Sequence, residues 1–232
     1  MIQKQYDNIN RFPVALDGII FGFDREMLKL LLIKRDFEPE KGKWSLMGGF
    51  LNSDESLDEA ASRILAKLTG LTDIYLEQLH GFGEVNRDPV ERTISIAYYS
   101  LINIHDHDKD LVKKYSAKWF PADKLPNLIF DHQKMVDAAK SRLRYKAARQ
   151  LVGFELLPEK FTLPELQQLY EAIYETKLDK RNFRRRILSM GVLLKTNEKQ
   201  RAFSKKGAFL YKFDNEKYEK HGSSNKWIKS DF

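Results

Sequence analysis

Five of the seven residues from Lys180 to Arg186 are cationic: Lys180, Arg181, Arg184, Arg185 and Arg186. At about 100° per residue, Phe183, Ile187 and Met190 fall in one apolar stripe. Arg181, Asn182, Arg185 and Ser189 fall on the far side, with Arg184 flanking them. A helix anchored on one side and cationic on the other suits the major groove of a duplex. Arginine can bond guanine bidentately, asparagine can bond adenine, and both reach phosphate oxygens. Without a polyanion such cations repel one another, so the pattern predicts double-stranded DNA as a partner. The candidate contacts are Lys180, Arg181, Asn182, Arg184, Arg185 and Ser189. Arg201, Lys205 and Lys206, in the basic stretch Lys199–Gly207, are expected to reach the phosphate backbone beside them.

Where the charge sits supports this reading. The 232-residue chain carries +7, and Leu156–Phe232 alone holds 17 Lys and Arg against 10 Asp and Glu. That leaves 23 of each sign before it, so the surplus belongs to the last third. A neutral domain joined to one that meets a polyanion has this asymmetry. Cysteine is absent, which excludes disulfides, thiolate zinc sites and cysteine nucleophiles and fits a reducing cytoplasm. No apolar run approaches the length of a membrane span, and the polar start MIQKQYDNINRF predicts no export.

The elements that must hold the basic helix follow from caps and periodicity. Asp179 is a candidate N-cap, and Gly191 ends the helix just past Met190. Phe161-Thr162-Leu163-Pro164-Glu165 starts the helix before it, with proline and an acid in the first turn. Val192–Thr196 and Ala208–Phe213 read as strands around a basic loop, Asn197–Gly207. Helix, turn, helix and hairpin is a winged-helix order. His221–Phe232 reads as a loosely held tail.

Ahead of this unit the chain alternates strands and helices. Phe12–Phe23, Leu28–Arg35, Trp44–Phe50, Leu76–Val85 and Thr93–Ile104 are rich in β-formers, and Asp24-Arg25-Glu26 makes a hairpin turn. Ser56–Leu68 has helical spacing with Gly70 beyond it, and His132–Leu151 is a long helix, basic towards its end.

Gly49, Glu55, Arg63 and Gly70 sit at the spacings of the pattern G-x5-E-x7-R-E-U-x-E-E-x-G-U, with Leu71 in the last aliphatic place. This stretch, with its lead-in Lys43-Trp44-Ser45-Leu46-Met47-Gly48, resembles a Nudix box. The resemblance implies an α/β fold, a mixed sheet between helices. In Nudix hydrolases the glutamates after the arginine share a helix face and hold magnesium. Here those positions are Ile64, Lys67 and Leu68, two without oxygens and one with an ammonium. The expectation is therefore no metal, no cofactor and no hydrolysis. Glu55 and Arg63 are expected to fix the loop against the helix.

A fold without its metal can still enclose a small molecule, because a pocket rests on shape and a few polar groups. The candidate ligand residues are Lys43 and Trp44 ahead of the box, and Arg87, Asp88 and Arg92 on the polar loop between strands. Trp44 could stack on a sugar or base, or pack in the core. His105 and His107, among aspartates, faintly resemble a metal set but lack a compact ligand group and read as an exposed turn.

Taken with Phe161-Thr162-Leu163, Leu166-Gln167, Leu169-Tyr170-Glu171-Ala172 and Asp179–Arg185, the box makes nearly the whole chain similar to the Nudix-related transcriptional regulators of the NrtR/AraR type. The resemblance implies an effector-binding and dimerising Nudix-like domain, residues 1–150, and a winged helix-turn-helix domain, residues 151–232. It implies a cytoplasmic homodimeric repressor that leaves a palindromic operator when a metabolite binds. L-arabinose is the first expectation for that effector, from the broken box and the overall likeness to the AraR branch, and ADP-ribose the second. The helix His132–Leu151 is the expected coupling element. The rival classes are a divergent Nudix pyrophosphohydrolase and a general RNA-binding module.

Overall fold

The computed structural model describes residues 9–104, 116–149, 151–200 and 207–222, with side chains as far as residue 218. β1, Val14–Phe23, is the spine of the first unit. It pairs in parallel with β6, Ile94–Asn103, along ten residues from Val14–Ile94 to Phe23–Asn103. On its other edge lie β2, Leu28–Lys34, and β4, Met47–Phe50, both antiparallel to it. β3, Trp44–Ser45, and β7, Ala117–Pro121, extend β2, and β5, Glu77–Phe82, extends β6. The result is a mixed seven-stranded sheet with the path β3-β2-β1-β6-β5. The β1–β2 turn holds because Asp24 Oδ1 accepts from the N–H groups of Glu26 and Met27, at 3.1 and 2.9 Å.

A strand buried on both faces should be apolar on both, and β1 is. Leu16 and Ile20 face α1, Leu57–Thr69, beside Ala60, Ala61, Ile64 and Leu65. Ile19, Phe21 and Phe23 face α2, His132–Arg149, beside Met135, Val136, Ala139 and Leu143. The sheet therefore lies between helices, as expected. α1 carries the capping box that its sequence spells: Ser56 and Glu59 bond each other's backbone, and Gly70 closes the helix at φ 74°.

After α2 a 3-10 turn, Phe154–Leu156, leads to β8, Phe161–Thr162, and α3, Leu163–Tyr174. α4, Lys180–Ser189, is followed by β9, Leu193–Gln200, β10, Ala208–Phe213, and α5, Asn215–Gly222. Strands β8, β10 and β9 form a three-stranded sheet in that order, completing a winged helix. α3 starts where expected and also carries a capping box, from Thr162 and Glu165. Leu166, Leu169, Ile173, Phe183 and Ile187 join the same apolar cluster as the α2 face of the large sheet. The two units thus share one core.

Several boundaries differ from expectation: Trp44–Phe50 is split into β3 and β4, and β5 stops at Phe82, short of Val85. α2 ends at Arg149, and Leu151 and Val152 are buried in the connection beyond it. β9 continues through Asn197–Gln200, expected as loop, because Lys199 and Gln200 pair with Phe209 and Ala208. His221 and Gly222, expected in the tail, end α5. Among the described residues no helix is long and apolar enough to cross a membrane.

Candidate DNA interface and effector domain

α4 begins where Asp179 accepts a 2.8 Å bond from the Asn182 N–H. Phe183 and Ile187 are buried, with the Phe183 ring edge-on to Tyr170 at 5.6 Å. That anchored side turns Lys180, Arg181, Asn182, Arg184, Arg185 and Ser189 outward, and all six are exposed. Arg185 Nη2 donates to Asn182 Oδ1 at 3.1 Å, joining the two side chains best suited to read bases. Ser189 Oγ donates to the Arg186 carbonyl at 2.8 Å. Among the described residues Arg181, Arg184 and Arg185 make no ion pair with an acid, so their charge remains available to a polyanion. A groove lined by Leu178, Asn182, Phe183, Arg185 and Ser189 runs along the helix.

Arg201, Lys205 and Lys206 lie outside the described residues, but the strands leading to them carry two cations that the sequence reading passes over. Lys195 Nζ sits 3.6 Å from the centre of the Phe209 ring and Lys199 Nζ 4.5 Å from it. The signal was present: alternate residues of β9 share a face, and Phe209 pairs directly with Lys199.

In the first unit, the box residues settle into structural contacts. Arg63 donates to Glu55 through Nε, at 2.7 Å, and Nη2, at 2.5 Å, and to the Phe50 carbonyl at 2.9 Å. Glu55 also accepts from the Asn52 N–H at 2.7 Å. The Arg63 hydrogen bonds hold the Glu55 carboxyl below its ordinary range. Ile64 is buried against Gly49, where a Cβ would meet its Cγ1 at 2.9 Å. Leu68 is half-buried among apolar neighbours, and Lys67 is exposed.

The candidate ligand residues divide into two kinds. Arg87 is only 7% exposed, and its Nε and Nη2 donate to both oxygens of Asp131 at 3.0 and 2.9 Å. The same Nη2 lies 3.8 Å from Asp17, which accepts from Ser95 Oγ at 2.6 Å. His132 Nε2 is 3.6 Å from Asp17, and its Nδ1 accepts from the Leu46 N–H at 3.2 Å. Burial pushes the His132 imidazole below its ordinary pKa, against the pull of Asp17 and Asp131. Arg92 likewise spends its donors inward, on the carbonyls of Gly83 and Glu84 at 2.8 Å each. Both arginines therefore shape the loop from within.

Lys43 is exposed and pairs with Glu40. Trp44 is half-buried, edge-on to Phe120 at 4.7 Å, and its carbonyl accepts from the Ile129 N–H at 3.1 Å. The segment around Asp131 thereby brings Trp44 and Arg87 to one end of the sheet. Asp88 is half-buried and accepts from the Val90 N–H at 2.9 Å. Asp17, Asp131 and His132 were not foreseen, because their pairing joins residues far apart in the chain. Among the described residues no group of acids and histidines could hold a metal ion, and His105 and His107 lie outside them.

Comparison with known proteins now bears on this arrangement. Residues 11–139 match the NUDIX domain family, and residues 153–213 match the NrtR DNA-binding winged helix domain. The chain is 34% identical over 210 residues to the ADPR responsive transcriptional repressor NtrR of Acinetobacter baylyi, covering 89% of this chain and 84% of that protein. Over 144 residues it is 36% identical to the ADP-ribose pyrophosphatase of Methanocaldococcus jannaschii, covering 62% of this chain and 80% of the relative. Shewanella oneidensis NrtR, crystallised with a 27mer DNA, superposes with a TM-score of 0.78 at 32% identity, covering 89% of this chain and 95% of that one. The Nudix domain of the same protein, crystallised with ADP ribose, gives 0.52 at 29% identity over 62% of this chain and 99% of that one. The descriptions of the Acinetobacter, Methanocaldococcus and Shewanella proteins name ADP-ribose, and none of them names L-arabinose. With a Nudix domain and an NrtR-type winged helix in this order, the chain belongs to the NrtR family of Nudix-related transcriptional regulators.

Proposed function

We propose that this protein is a homodimeric repressor that binds a palindromic operator through α4 and releases it when ADP-ribose occupies the Nudix domain. The exposed, unneutralised cationic side of α4 carries the DNA half of this reading, because its geometry has a use only against a polyanion. Lys180, Arg181, Asn182, Arg184, Arg185 and Ser189 contact the major groove, and Arg201, Lys205 and Lys206 reach phosphates from the wing. Two such helices related by the dimer axis occupy two half-sites. The functional boundary falls between residues 150 and 151.

ADP-ribose takes precedence over L-arabinose because the relatives' names mention the former, whereas the arabinose expectation rested on overall likeness. Lys43, Trp44 and Asp88 bound the effector site, with Arg87 and Arg92 fixing its loop. Release follows only if ADP-ribose binds the weakly DNA-binding form more tightly than the other. The protein binds this ligand without hydrolysing it, since Ile64 and Leu68 offer no oxygen and Lys67 repels a cation.

The test begins with duplex selected by the full-length protein from a random pool, followed by gel-shift titrations with ADP-ribose and with L-arabinose. ADP-ribose should weaken the selected complex at least tenfold while arabinose leaves it unchanged; the opposite pattern restores the arabinose reading. In a parallel assay with magnesium, ADP-ribose should yield no AMP, and Lys67→Glu alone should not restore turnover. Robust hydrolysis by either protein would replace this reading with the pyrophosphohydrolase.

A further inference from the structure

α4 can place its arginines in a groove only if something fixes it relative to the first domain. α3 ends at Glu175, which takes the left-handed conformation, φ 55° and ψ 33°, and donates its N–H to the Glu171 carbonyl. A non-glycine residue there is uncommon, so its side chain must matter enough to hold the position. That side chain turns away from the winged helix to meet α2. Lys140 Nζ pairs with Glu175 Oε1, and Arg144 Nη2 lies 2.7 Å from Oε2. Arg144 Nε also donates to the Ile173 carbonyl at 3.0 Å, in the last turn of α3. One turn apart on α2, the two cations grip both the carboxylate and the electronegative end of the helix. Burial pushes the Glu175 carboxyl up, but the hydrogen bonds and charge of Lys140 and Arg144 leave it below its ordinary range.

Each end of this clamp is tied further. Towards the large sheet, Lys140 donates to the Ala122 carbonyl at 3.3 Å, and Lys146 of the same helix pairs with Glu77 of β5. Towards α4, the turn after Glu175 is closed by Glu171. Its carboxylate accepts from Gln167 Nε2, Lys177 Nζ and the Leu178 N–H, at 2.9, 2.8 and 3.1 Å. Gln167 then donates to the Leu178 carbonyl at 3.0 Å, one residue before the N-cap of α4. A continuous set of polar contacts therefore runs from the sheet through α2 and Glu175 to the start of the DNA-reading helix.

The geometry points to Glu175 as the positioning residue of DNA binding: it touches no base or phosphate, but sets where α4 stands by locking the end of α3 to Lys140 and Arg144. This rests on α4 being the DNA-reading helix. It places the coupling at Lys140 and Arg144, mid-way along α2, so a shift of α2 on effector binding would reach α4 through this carboxylate.

The experiment uses the selected duplex and three full-length variants at matched salt. Glu175→Lys should bind at least tenfold more weakly than the wild type, although added positive charge by itself raises affinity for DNA. Combining it with Lys140→Glu and Arg144→Glu should recover most of the loss, although the triple variant is more acidic than the wild type. Glu175→Gln, which keeps the length of the side chain and one acceptor oxygen but not the charge, should lose about threefold and melt within a few degrees of the wild type. Glu175→Lys affinity within twofold of the wild type overturns the assignment, as does a triple variant no better than Glu175→Lys. A wild type that selects no duplex overturns both this assignment and the DNA-binding reading; one that selects DNA and ignores ADP-ribose overturns only the effector.

Discussion

Two groups of charge in this molecule have opposite surroundings. Asp17, Arg87, Asp131 and His132 meet at the end of the large sheet, all buried, each answered by another member of the group or by Ser95 or Leu46. On α4, Arg181, Arg184 and Arg185 stand in solvent and make no ion pair with an acid among the described residues. A buried charge must find its partner within the fold, since leaving it alone costs several kcal/mol. An exposed cation has no such need, so a row of them is retained for something outside the chain. The same residue type is therefore structural at Arg87 and, in the proposed function, a contact at Arg185, and burial tells them apart.

This contrast can be broken by substitutions that exchange the two outcomes. Arg87→Ala strands two buried carboxylates and should cost about 3–5 kcal/mol of stability in urea unfolding, while the folded protein keeps its affinity for DNA. Arg185→Ala should do the reverse. It should lose about 1–3 kcal/mol of binding to the selected duplex, with stability within about 0.5 kcal/mol of the wild type; undiminished binding at matched salt removes Arg185 from the groove.

A pH series sharpens the buried side. His132 is held neutral in the fold, so the unfolded chain binds the extra proton as pH falls through about 6.5. Stability should thus drop on acidification by at most about 1.4 kcal/mol per pH unit from this group, and be regained as pH rises to that value. His132→Asn, which keeps an acceptor for the Leu46 N–H, should flatten that part of the profile. The smallest expected change is at Arg184. Its replacement by alanine should weaken binding to all duplexes alike and lower the salt dependence by about one phosphate contact.

The helices of this fold are legible in its sequence because their ends are chemical. Ser56 with Glu59, Thr162 with Glu165, and Asp179 each spell a cap that depends on residues three apart, and each is formed. The exposed side of α4 was legible for the same reason, since periodicity alone decides which residues share a face. The ionic group around Asp17 was not. Its pairs join residues 44 and 78 apart, and only the completed sheet brings them together. Arg87 therefore looked like a ligand contact on a polar loop when its guanidinium belongs to Asp131. Likewise Asn197–Gln200 reads as a basic loop until its pairing with β10 is known.

Ile64, seated on Gly49, makes a carboxylate costly at this place in the box. A glutamate installed there would enter a small apolar recess lined by Leu16, Met47, Ala61, Leu65 and Tyr98. It would stay protonated or force the box loop off α1, and gain nothing until two further acids arrived on the same helix. A packing contact of this kind is therefore not exchanged for a carboxylate one residue at a time.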